Sequence, residues 1–307
     1  MIKKASHTFL KYLTPLDFAS IFYVVFSGAY LFFGRERLIN VQEHFYIRLL
    51  LLIVIISLLT FSVKYPKNKM IIFFRGIYPI FFISFFYTET SSLKNILFHN
   101  NLDVFFYNAE QNLWHCQPSI AFSKFMNDAW FNEIMNLCYF SYYIIIIITC
   151  ILLFMKNTLP AQKAIFTVFF SFYLYYIIFD ILPVAGPQYY AVNLNSEPLP
   201  PYFFGKIMHQ ILINIEKPTG AFPSSHVGIA CIIAYVFFKQ FKKIFFIILP
   251  FVIGICFATV YLKAHYLVDV IAGVFSAFLF ILISEYVFNK ISILTKGWIN
   301  NKNPFYN

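Results

Sequence analysis

Charged side chains are scarce in this chain. Asp, Glu, Lys and Arg together make up 12% of its 307 residues, whereas hydrophobic residues make up 60%. A soluble domain carries roughly a quarter charged residues, so the composition excludes an ordinary soluble protein. Long apolar runs recur instead, each close to the roughly 20 residues that cross a bilayer. We therefore predict an all-α polytopic membrane protein.

Cysteine is also sparse. The chain has five cysteines and no C-x-x-C pair, so neither a zinc site nor a disulfide framework is indicated. No third ligand stands at a suitable spacing from the histidines discussed below, and we expect neither a metal nor another cofactor. The net charge of +10 comes from lysines that flank the apolar runs, as topology signals do. We therefore expect no nucleic-acid partner.

We predict about eight transmembrane helices. They lie at about 17–34, 46–63, 70–87, 133–155, 164–183, 224–238, 244–262 and 267–287. The first follows Lys3, Lys4 and Lys11 and is interpreted as a retained helix rather than a cleaved signal peptide. We divide the chain into 1–132, with three helices and an aromatic-rich loop, and 133–307, a five-helix catalytic region of the same membrane domain.

The lysines also predict the topology. They concentrate in short segments on the side of both termini, so the positive-inside rule makes the termini cytoplasmic. The two longest loops, about 88–132 and 184–223, then lie on the extracytoplasmic face. The first is rich in aromatic residues, and we expect it to form an amphipathic segment along the membrane surface. The second contains Pro187, Pro198, Pro200, Pro201 and Pro218. We expect it to be irregular and to cover a site.

Two histidines stand where an outer turn passes into an apolar run. His226 ends the sequence Gly-Ala-Phe-Pro-Ser-Ser-His, and His265 precedes the last span with Asp269 at i+4, on the same helical face. A single histidine at a helix end is more often an interfacial anchor. Two on one side of the membrane, with a nearby carboxylate, are costly to keep in an apolar protein and indicate an active site.

The residue types around the histidines suit phosphate chemistry. Ser224 or Ser225 fits a helix N-cap, and the free N–H groups of such a helix start bind phosphate well. Asp269 would accept from one ring nitrogen of His265 and leave the other free to attack.

Further polar residues are candidates for binding phosphate or substrate. The full set is Ser224, Ser225, Lys263, Lys217, Gln188, Tyr189 and Asp180. Lys263 stands two residues before His265 and would steady phosphate charge. Asp180 and Arg75 are polar residues at membrane depth. Asp180 is expected to face the same cavity, whereas Arg75 is expected to snorkel to the cytoplasmic side.

At these residues the chain resembles the type 2 phosphatidic acid phosphatase superfamily. That family has three sequence blocks, K-x6-R-P, P-S-G-H and S-R-x5-H-x3-D. The second block matches at residues 223–226 with Ser in place of Gly, and His265 with Asp269 matches the end of the third. Ala258 and Thr259 stand where Ser-Arg is expected, and the first block is absent.

Within that superfamily the chain looks most like the inositol phosphorylceramide synthase branch. The resemblance rests on residues 220–226, on residues 259–273, and on a weaker D-x6-E pattern at Asp103 and Glu110 that is followed by Pro118. It implies a phosphatase-type helical core and transfer of inositol phosphate from phosphatidylinositol to ceramide or a related lipid. The site would face the periplasm of a bacterial inner membrane or the lumen of a Golgi-type membrane.

The same resemblance assigns roles to the three site residues. His265 would take the phospho-head group as a phosphohistidine, and Asp269 would orient it. His226 would protonate the departing diacylglycerol oxygen and then act as base for the incoming hydroxyl.

Two alternatives stay open. The same residues would serve a lipid phosphate phosphatase that uses water to cleave phosphatidate or an isoprenyl pyrophosphate. A non-catalytic transporter or scaffold is the second alternative. Transporters typically carry charges at the membrane midplane and internal repeats, whereas here the polar residues lie at one face and no repeat is evident.

Overall fold

The computed structural model describes residues 13–38, 40–65, 67–94, 96–156, 158–191, 202–214 and 216–294, and within these ranges it contains helices and no strand. The helices are α1 (Pro15–Gly34), α2 (Val41–Lys64), α3 (Lys69–Leu93), α4 (Asp103–Trp114), α5 (Pro118–Phe125), α6 (Ala129–Lys156), α7 (Leu159–Ile181), α8 (Pro187–Tyr190), α9 (Phe203–Asn214), α10 (Ser225–Gln240), α11 (Lys242–Tyr261) and α12 (Leu267–Leu294). A short 3-10 helix, Arg35–Arg37, follows α1.

Seven of these helices are long and apolar enough to cross a membrane: α1, α2, α3, α6, α7, α11 and α12. The predicted sixth span corresponds to α10, which is apolar but has 16 residues. The protein is thus an all-α polytopic membrane protein, as predicted. The predicted spans differ from the observed helix ends by up to seven residues, because hydropathy does not detect the polar first and last turns.

The predicted surface segment contains two helices, α4 and α5. α4 buries Asp103, Phe106 and Glu110 while Val104 and Phe105 are exposed. The helix therefore turns its two carboxylates inward and apolar side chains outward. This arrangement is compatible with the predicted position along a membrane surface.

The second long loop was expected to be irregular, and this prediction is wrong in part. It contains the four-residue α8 and the twelve-residue α9. Its prolines lie on either side of α9, so no proline interrupts the helical hydrogen bonds of that segment. Pro198, Pro200 and Pro201 lie outside the described residues, as do Lys3, Lys4 and Lys11.

The chain divides into two compact units. The first comprises the described residues up to Phe86, the segment Ile151–Leu174 and the described residues from Phe280 onward. Arg75 lies inside this unit, where it is buried and forms an ion pair with Asp17. The expectation that Arg75 snorkels is wrong, because a carboxylate on α1 compensates its charge within the protein.

The second unit comprises Tyr87–Cys150 and Tyr175–Leu279 and contains every candidate site residue. The start of α10 packs directly on α12 in this unit. The backbone N–H of Ser224 donates to the carbonyl of Asp269 at 3.0 Å. A Cβ on Gly273 would lie 2.7 Å from the Ser224 carbonyl oxygen, so this close approach requires glycine.

Candidate active site

His226 is placed by the first turn of α10. Ser224 is the N-cap of the helix, and its Oγ accepts from the N–H of Val227 at 3.3 Å. Pro223 immediately precedes the cap, following a cis Phe222–Pro223 peptide bond. The predicted capping role therefore falls on Ser224, whereas Ser225 occupies the first helical position and is buried.

His265 is placed by the turn between α11 and α12. Its backbone N–H donates to the carbonyl of Thr259 at 3.1 Å. Its ring Nδ1 lies 2.7 Å from the carbonyl oxygen of Ala221. A carbonyl oxygen accepts hydrogen bonds and cannot donate, so Nδ1 carries the proton and a neutral His265 has its lone pair on Nε2.

The predicted hydrogen bond from the His265 ring to Asp269 is not formed. The shortest distance between them, from Nδ1 to Asp269 Oδ2, is 3.6 Å, beyond hydrogen-bonding range. Asp269 Oδ2 accepts instead from the backbone N–H of Tyr266 at 2.8 Å. The i+4 spacing brings the two side chains to the same face, but the Ala221 carbonyl lies nearer to the ring nitrogen.

The two histidine rings approach each other through one nitrogen of each. Nδ1 of His226 lies 3.2 Å from Nε2 of His265. The side chains are 12% and 3% exposed respectively, so the pair is largely withdrawn from solvent. The ring of His226 packs against Tyr139 and Tyr142, with centroid separations of 4.9 and 4.6 Å.

Glu216 is a site residue that the sequence analysis missed. Its Oε1 accepts from the hydroxyl of Tyr139 at 2.6 Å and lies 3.8 Å from Nε2 of His226. The same Tyr139 hydroxyl is 3.3 Å from Nε2 of His226. Glu216 is an isolated acid among mainly apolar residues of the second long loop. This setting was the sequence signal that could have identified it as a site residue.

Hydrogen-bond geometry assigns the protons of this network when Glu216 is ionised. Nε2 of His265 is then an acceptor, so Nδ1 of His226 is the donor between the two rings. The hydrogen of the Tyr139 hydroxyl is directed to Glu216, so Nε2 of His226 must also donate, to the Tyr139 oxygen. A His226 that is protonated on both nitrogens satisfies every contact of this network, with Glu216 compensating its charge. Burial and then the charge of His265 lower the pKa of His226, so this protonated state depends on the Glu216 carboxylate.

Burial shifts the pKa values of these groups in opposite directions. Withdrawal from water lowers the pKa of His265 to about 4, although the Ala221 carbonyl and the charge of Glu216 oppose the shift. Burial raises the pKa of Glu216, an effect that the Tyr139 hydrogen bond and the nearby His265 reduce. At neutral pH His265 is therefore unprotonated.

The remaining predicted binding residues differ in their distance from the histidines. Gln188 joins the site, since its Nε2 lies 3.4 Å from Glu216 Oε2 and its backbone N–H donates to the Lys263 carbonyl at 2.8 Å. Tyr189 lies near enough to Glu216 for that charge to raise its pKa, after the larger effect of burial.

Within the described ranges no hydrogen bond joins Lys263 or Lys217 to the histidines. Lys263 is half-buried with a positive φ of 62°, and its pKa is lowered by burial and then by Lys124. Lys217 is half-buried in the loop that carries Glu216. Asp180 is buried near the C-terminal end of α7. Their roles in substrate binding stay predictions.

No group of three or more His, Cys, Asp or Glu side chains in the described ranges is arranged to hold a metal ion. The described side chains place the lone pair of one imidazole beside the N–H of another, with a carboxylate behind the second ring.

A family model described as the PAP2 superfamily matches residues 105–283, which is more than half of the chain. The chain belongs to the PAP2 superfamily. Comparisons with curated proteins and with solved structures give no match. Members of this superfamily are phosphatases and phosphotransferases, and the matched range includes both histidines, Asp269 and Glu216. The proposed inositol phosphorylceramide synthase branch rests on the sequence motifs alone.

The departure from the superfamily's third block is visible in the structure. Ala258 and Thr259, which replace Ser-Arg, are fully buried. The Thr259 hydroxyl donates to the carbonyl of Cys256 at 3.1 Å, and its own carbonyl accepts from His265. These two positions therefore support the backbone of the His265 turn and supply no cation to the site.

Proposed function

We propose that this PAP2-superfamily protein is a lipid phosphotransferase. It moves a phospho-head group, inositol phosphate from phosphatidylinositol, to ceramide or a related lipid through a phosphohistidine on His265. The observation that carries the proposal is the 3.2 Å contact between His226 Nδ1 and His265 Nε2, in which one nitrogen bears a proton and the other a lone pair. A nucleophile and a general acid are thereby available within one site.

The first step is attack of His265 Nε2 on the phosphorus of the donor lipid. The N–P bond forms as the bond from phosphorus to the diacylglycerol oxygen breaks. That oxygen takes the proton from Nδ1 of His226, and diacylglycerol leaves. The phosphorylated His265 keeps its Nδ1–H on the Ala221 carbonyl, which stabilises the charge of the substituted imidazole.

The second step reverses these roles. The acceptor hydroxyl gives its proton to the now unprotonated Nδ1 of His226, and its oxygen attacks the phosphorus. The N–P bond breaks, and His265 and His226 return to their starting protonation states. Glu216 compensates the positive charge of His226 at the beginning and end of the cycle, with the Tyr139 hydroxyl hydrogen-bonded between the two. With water as acceptor, the same steps would give hydrolysis.

The choice of transfer over hydrolysis is favoured by burial. His265 is 3% exposed, and a site that excludes water protects a phosphorylated intermediate from hydrolysis. We further propose that the site faces the extracytoplasmic side, because the lysine distribution places both termini in the cytoplasm.

The test uses purified protein in detergent with fluorescent ceramide and either phosphatidylinositol or phosphatidate, followed by thin-layer chromatography. We expect a charged ceramide product that depends on phosphatidylinositol. His265→Ala should lower its formation by at least about 10³-fold. His209→Ala is the matched control, because His209 is exposed on α9 and should retain full activity.

The intermediate provides a second measurement. With inositol-labelled phosphatidylinositol and no acceptor, wild-type protein should retain label that is acid-labile and is absent from His265→Ala. If the protein hydrolysed phosphatidate and formed no ceramide product, the proposed transferase activity would be wrong and the protein would be a phosphatase. Full activity of His265→Ala would exclude His265 as the nucleophile, and a wild-type protein that converts no lipid would leave the non-catalytic alternative.

A further inference from the structure

Two buried carboxylates on α4 lie outside the chemistry proposed above. Asp103 is 1% exposed and Glu110 is 0% exposed. They stand seven residues apart, two turns of helix, and therefore project from the same face. Burying a carboxylate is costly unless it is hydrogen-bonded, so their partners indicate what the helix does.

Asp103 binds the backbone of the loop that precedes α8. Its Oδ2 accepts from the N–H of Ala185 at 2.8 Å, and its Oδ1 accepts from the N–H of Gly186 at 2.8 Å. Oδ1 also lies 3.2 Å from the hydroxyl of Tyr266, the residue after His265. One side chain thus joins two segments that are distant in sequence.

Glu110 binds the start of α12. Its Oε1 accepts from the N–H of Val268 at 3.2 Å, three residues after His265 and one before Asp269. A carboxylate at this position also interacts favourably with the dipole at the helix N-terminus. The turn that carries His265 is therefore held at Tyr266 by Asp103 and at Val268 by Glu110.

The contacts of Asp103 continue to the ring of His265 through the backbone. The N–H of Ala185, which donates to Asp103, belongs to the same peptide unit as the carbonyl of Val184. That carbonyl accepts from the N–H of Ala221 at 2.9 Å. The carbonyl of Ala221 in turn accepts from Nδ1 of His265 at 2.7 Å. The orientation and tautomer of the imidazole thus depend on a peptide whose position is set from α4.

We propose that α4 is the positioning element for the nucleophile. Asp103 sets the orientation and tautomer of His265 through Val184 and Ala221, and Glu110 holds the first turn of α12. Both are positioning residues, since neither touches the reacting nitrogens. The inference rests on the proposed function in taking His265 as the nucleophile, but the position and tautomer of the ring are measurable without any lipid.

The first experiment compares Asp103→Asn with wild type by nitrogen-15 NMR of histidine-labelled protein, with the His265 signal assigned by its loss in His265→Ala. The asparagine amide of this variant keeps one acceptor oxygen, so one of the two backbone contacts is lost. We expect wild-type His265 to be the Nδ1–H tautomer and Asp103→Asn to be a mixture with the Nε2–H form. Hydrogen exchange at Ala185 and Gly186 should accelerate at least about tenfold.

The second experiment measures lipid transfer. Misplacing a reacting group by about 1 Å costs on the order of 100-fold in rate, so Asp103→Asn should lower kcat about 10- to 100-fold and leave KM within about twofold. Glu110→Gln keeps an acceptor for Val268, and we expect a decrease of less than about tenfold. Tyr266→Phe removes only the 3.2 Å contact between the Tyr266 hydroxyl and Asp103. It replaces Asp103→Asn in both experiments if Asp103→Asn does not fold.

Glu133→Gln is the matched control. Glu133 also accepts from two backbone N–H groups of a distant segment, those of Phe204 and Gly205, but at the start of α9. The variant should accelerate exchange at residues 204–205 and leave kcat and the His265 tautomer unchanged.

The outcomes separate the two proposals. An unchanged His265 tautomer and unchanged exchange at residues 185–186 in Asp103→Asn overturn the positioning role. The positioning role is also overturned if Asp103→Asn accelerates hydrogen exchange at residues 185–186 but keeps the wild-type His265 tautomer and the wild-type kcat. If wild-type protein transfers no head group, the proposed function fails, while the tautomer of His265 in Asp103→Asn still decides whether α4 positions the ring.

Discussion

The carbonyl oxygen of Ala221 lies 2.7 Å from Nδ1 of His265, whereas the Asp269 carboxylate is 3.6 Å from the same atom. A backbone carbonyl cannot be protonated at physiological pH and has no rotamers. It therefore sets the tautomer of His265 independently of any nearby titration. This arrangement leaves Asp269 to stabilise the turn through the N–H of Tyr266.

We therefore predict that Asp269→Asn is far less damaging than His265→Ala. The asparagine side chain still offers an oxygen that can accept from the N–H of Tyr266, and the Ala221 carbonyl still holds Nδ1–H of the ring. Activity should fall by less than about 100-fold, compared with at least about 10³-fold for His265→Ala. Steady-state rates of head-group transfer test this, with the His265 tautomer as a second readout. Equal losses in the two variants would mean that Asp269, after all, orients the ring during catalysis.

The sequence predicted the long apolar helices and the proximity of the two histidines, but not the helices of the second long loop or the immediate partners of the histidines. Hydropathy suffices for the spans, and the turn at Ser224 with the i+4 spacing of His265 and Asp269 was sufficient to identify the pair. Glu216 was missed because its partner Tyr139 is 77 residues away in sequence, and no spacing rule relates a loop residue to a distant membrane helix. The Ala221 carbonyl was missed because backbone acceptors leave no mark in a sequence.

The Glu216–Tyr139–His226 network gives a prediction about leaving groups. Glu216→Gln removes the charge that compensates a protonated His226, so proton donation to the diacylglycerol oxygen should slow by about 10²-fold or more. A 4-nitrophenyl ester of the same phospho-head group has a leaving group that needs no proton. The burst of 4-nitrophenolate in the first turnover should stay within about threefold of wild type in both Glu216→Gln and His226→Ala. Later turnovers of His226→Ala should be slow, because His226 is also the base of the second step.

His265→Ala is the control for that measurement, and it should cleave neither substrate. Absorbance of 4-nitrophenolate after rapid mixing separates the first-turnover burst from the later turnovers. If Glu216→Gln lost both activities to the same extent, Glu216 would be acting on the nucleophile or on the architecture of the site, and its assignment to His226 would be wrong.

The pKa of His265 predicts the acid limit of the reaction. Burial lowers this pKa from 6.5 to about 4, and an imidazole attacks only when it is unprotonated. The ring is unprotonated above its pKa, so lowering the pKa extends activity to more acidic pH. With the 4-nitrophenyl substrate, kcat/KM should remain constant from about pH 8 to about pH 5 and halve near pH 4. A midpoint near 6.5 would show an imidazole in contact with water, provided that activity returns at neutral pH.

Glu110 predicts a dependence of stability on pH. Burial raises its pKa from 4.5 to about 7, a shift that the backbone N–H groups of Val268 and Leu267 reduce and that Asp269 increases. Between these two values the folded protein binds a proton that the unfolded chain has released, so the free energy of unfolding falls as pH rises through this window. Above about pH 7 the buried carboxylate is ionised and its contribution is lost.

Replacing Glu110 by Gln removes the titrating group and should remove this pH dependence. Thermal unfolding in detergent should show wild type losing about 5 °C between about pH 5 and about pH 8 relative to Glu110→Gln. Glu133→Gln controls for the loss of a carboxylate that accepts backbone hydrogen bonds, and should follow wild type across the range. If the difference in Tm between Glu110→Gln and wild type were constant with pH, Glu110 would be ionised throughout. The α4 carboxylates would then hold the His265 turn with full charge at every pH at which the enzyme works.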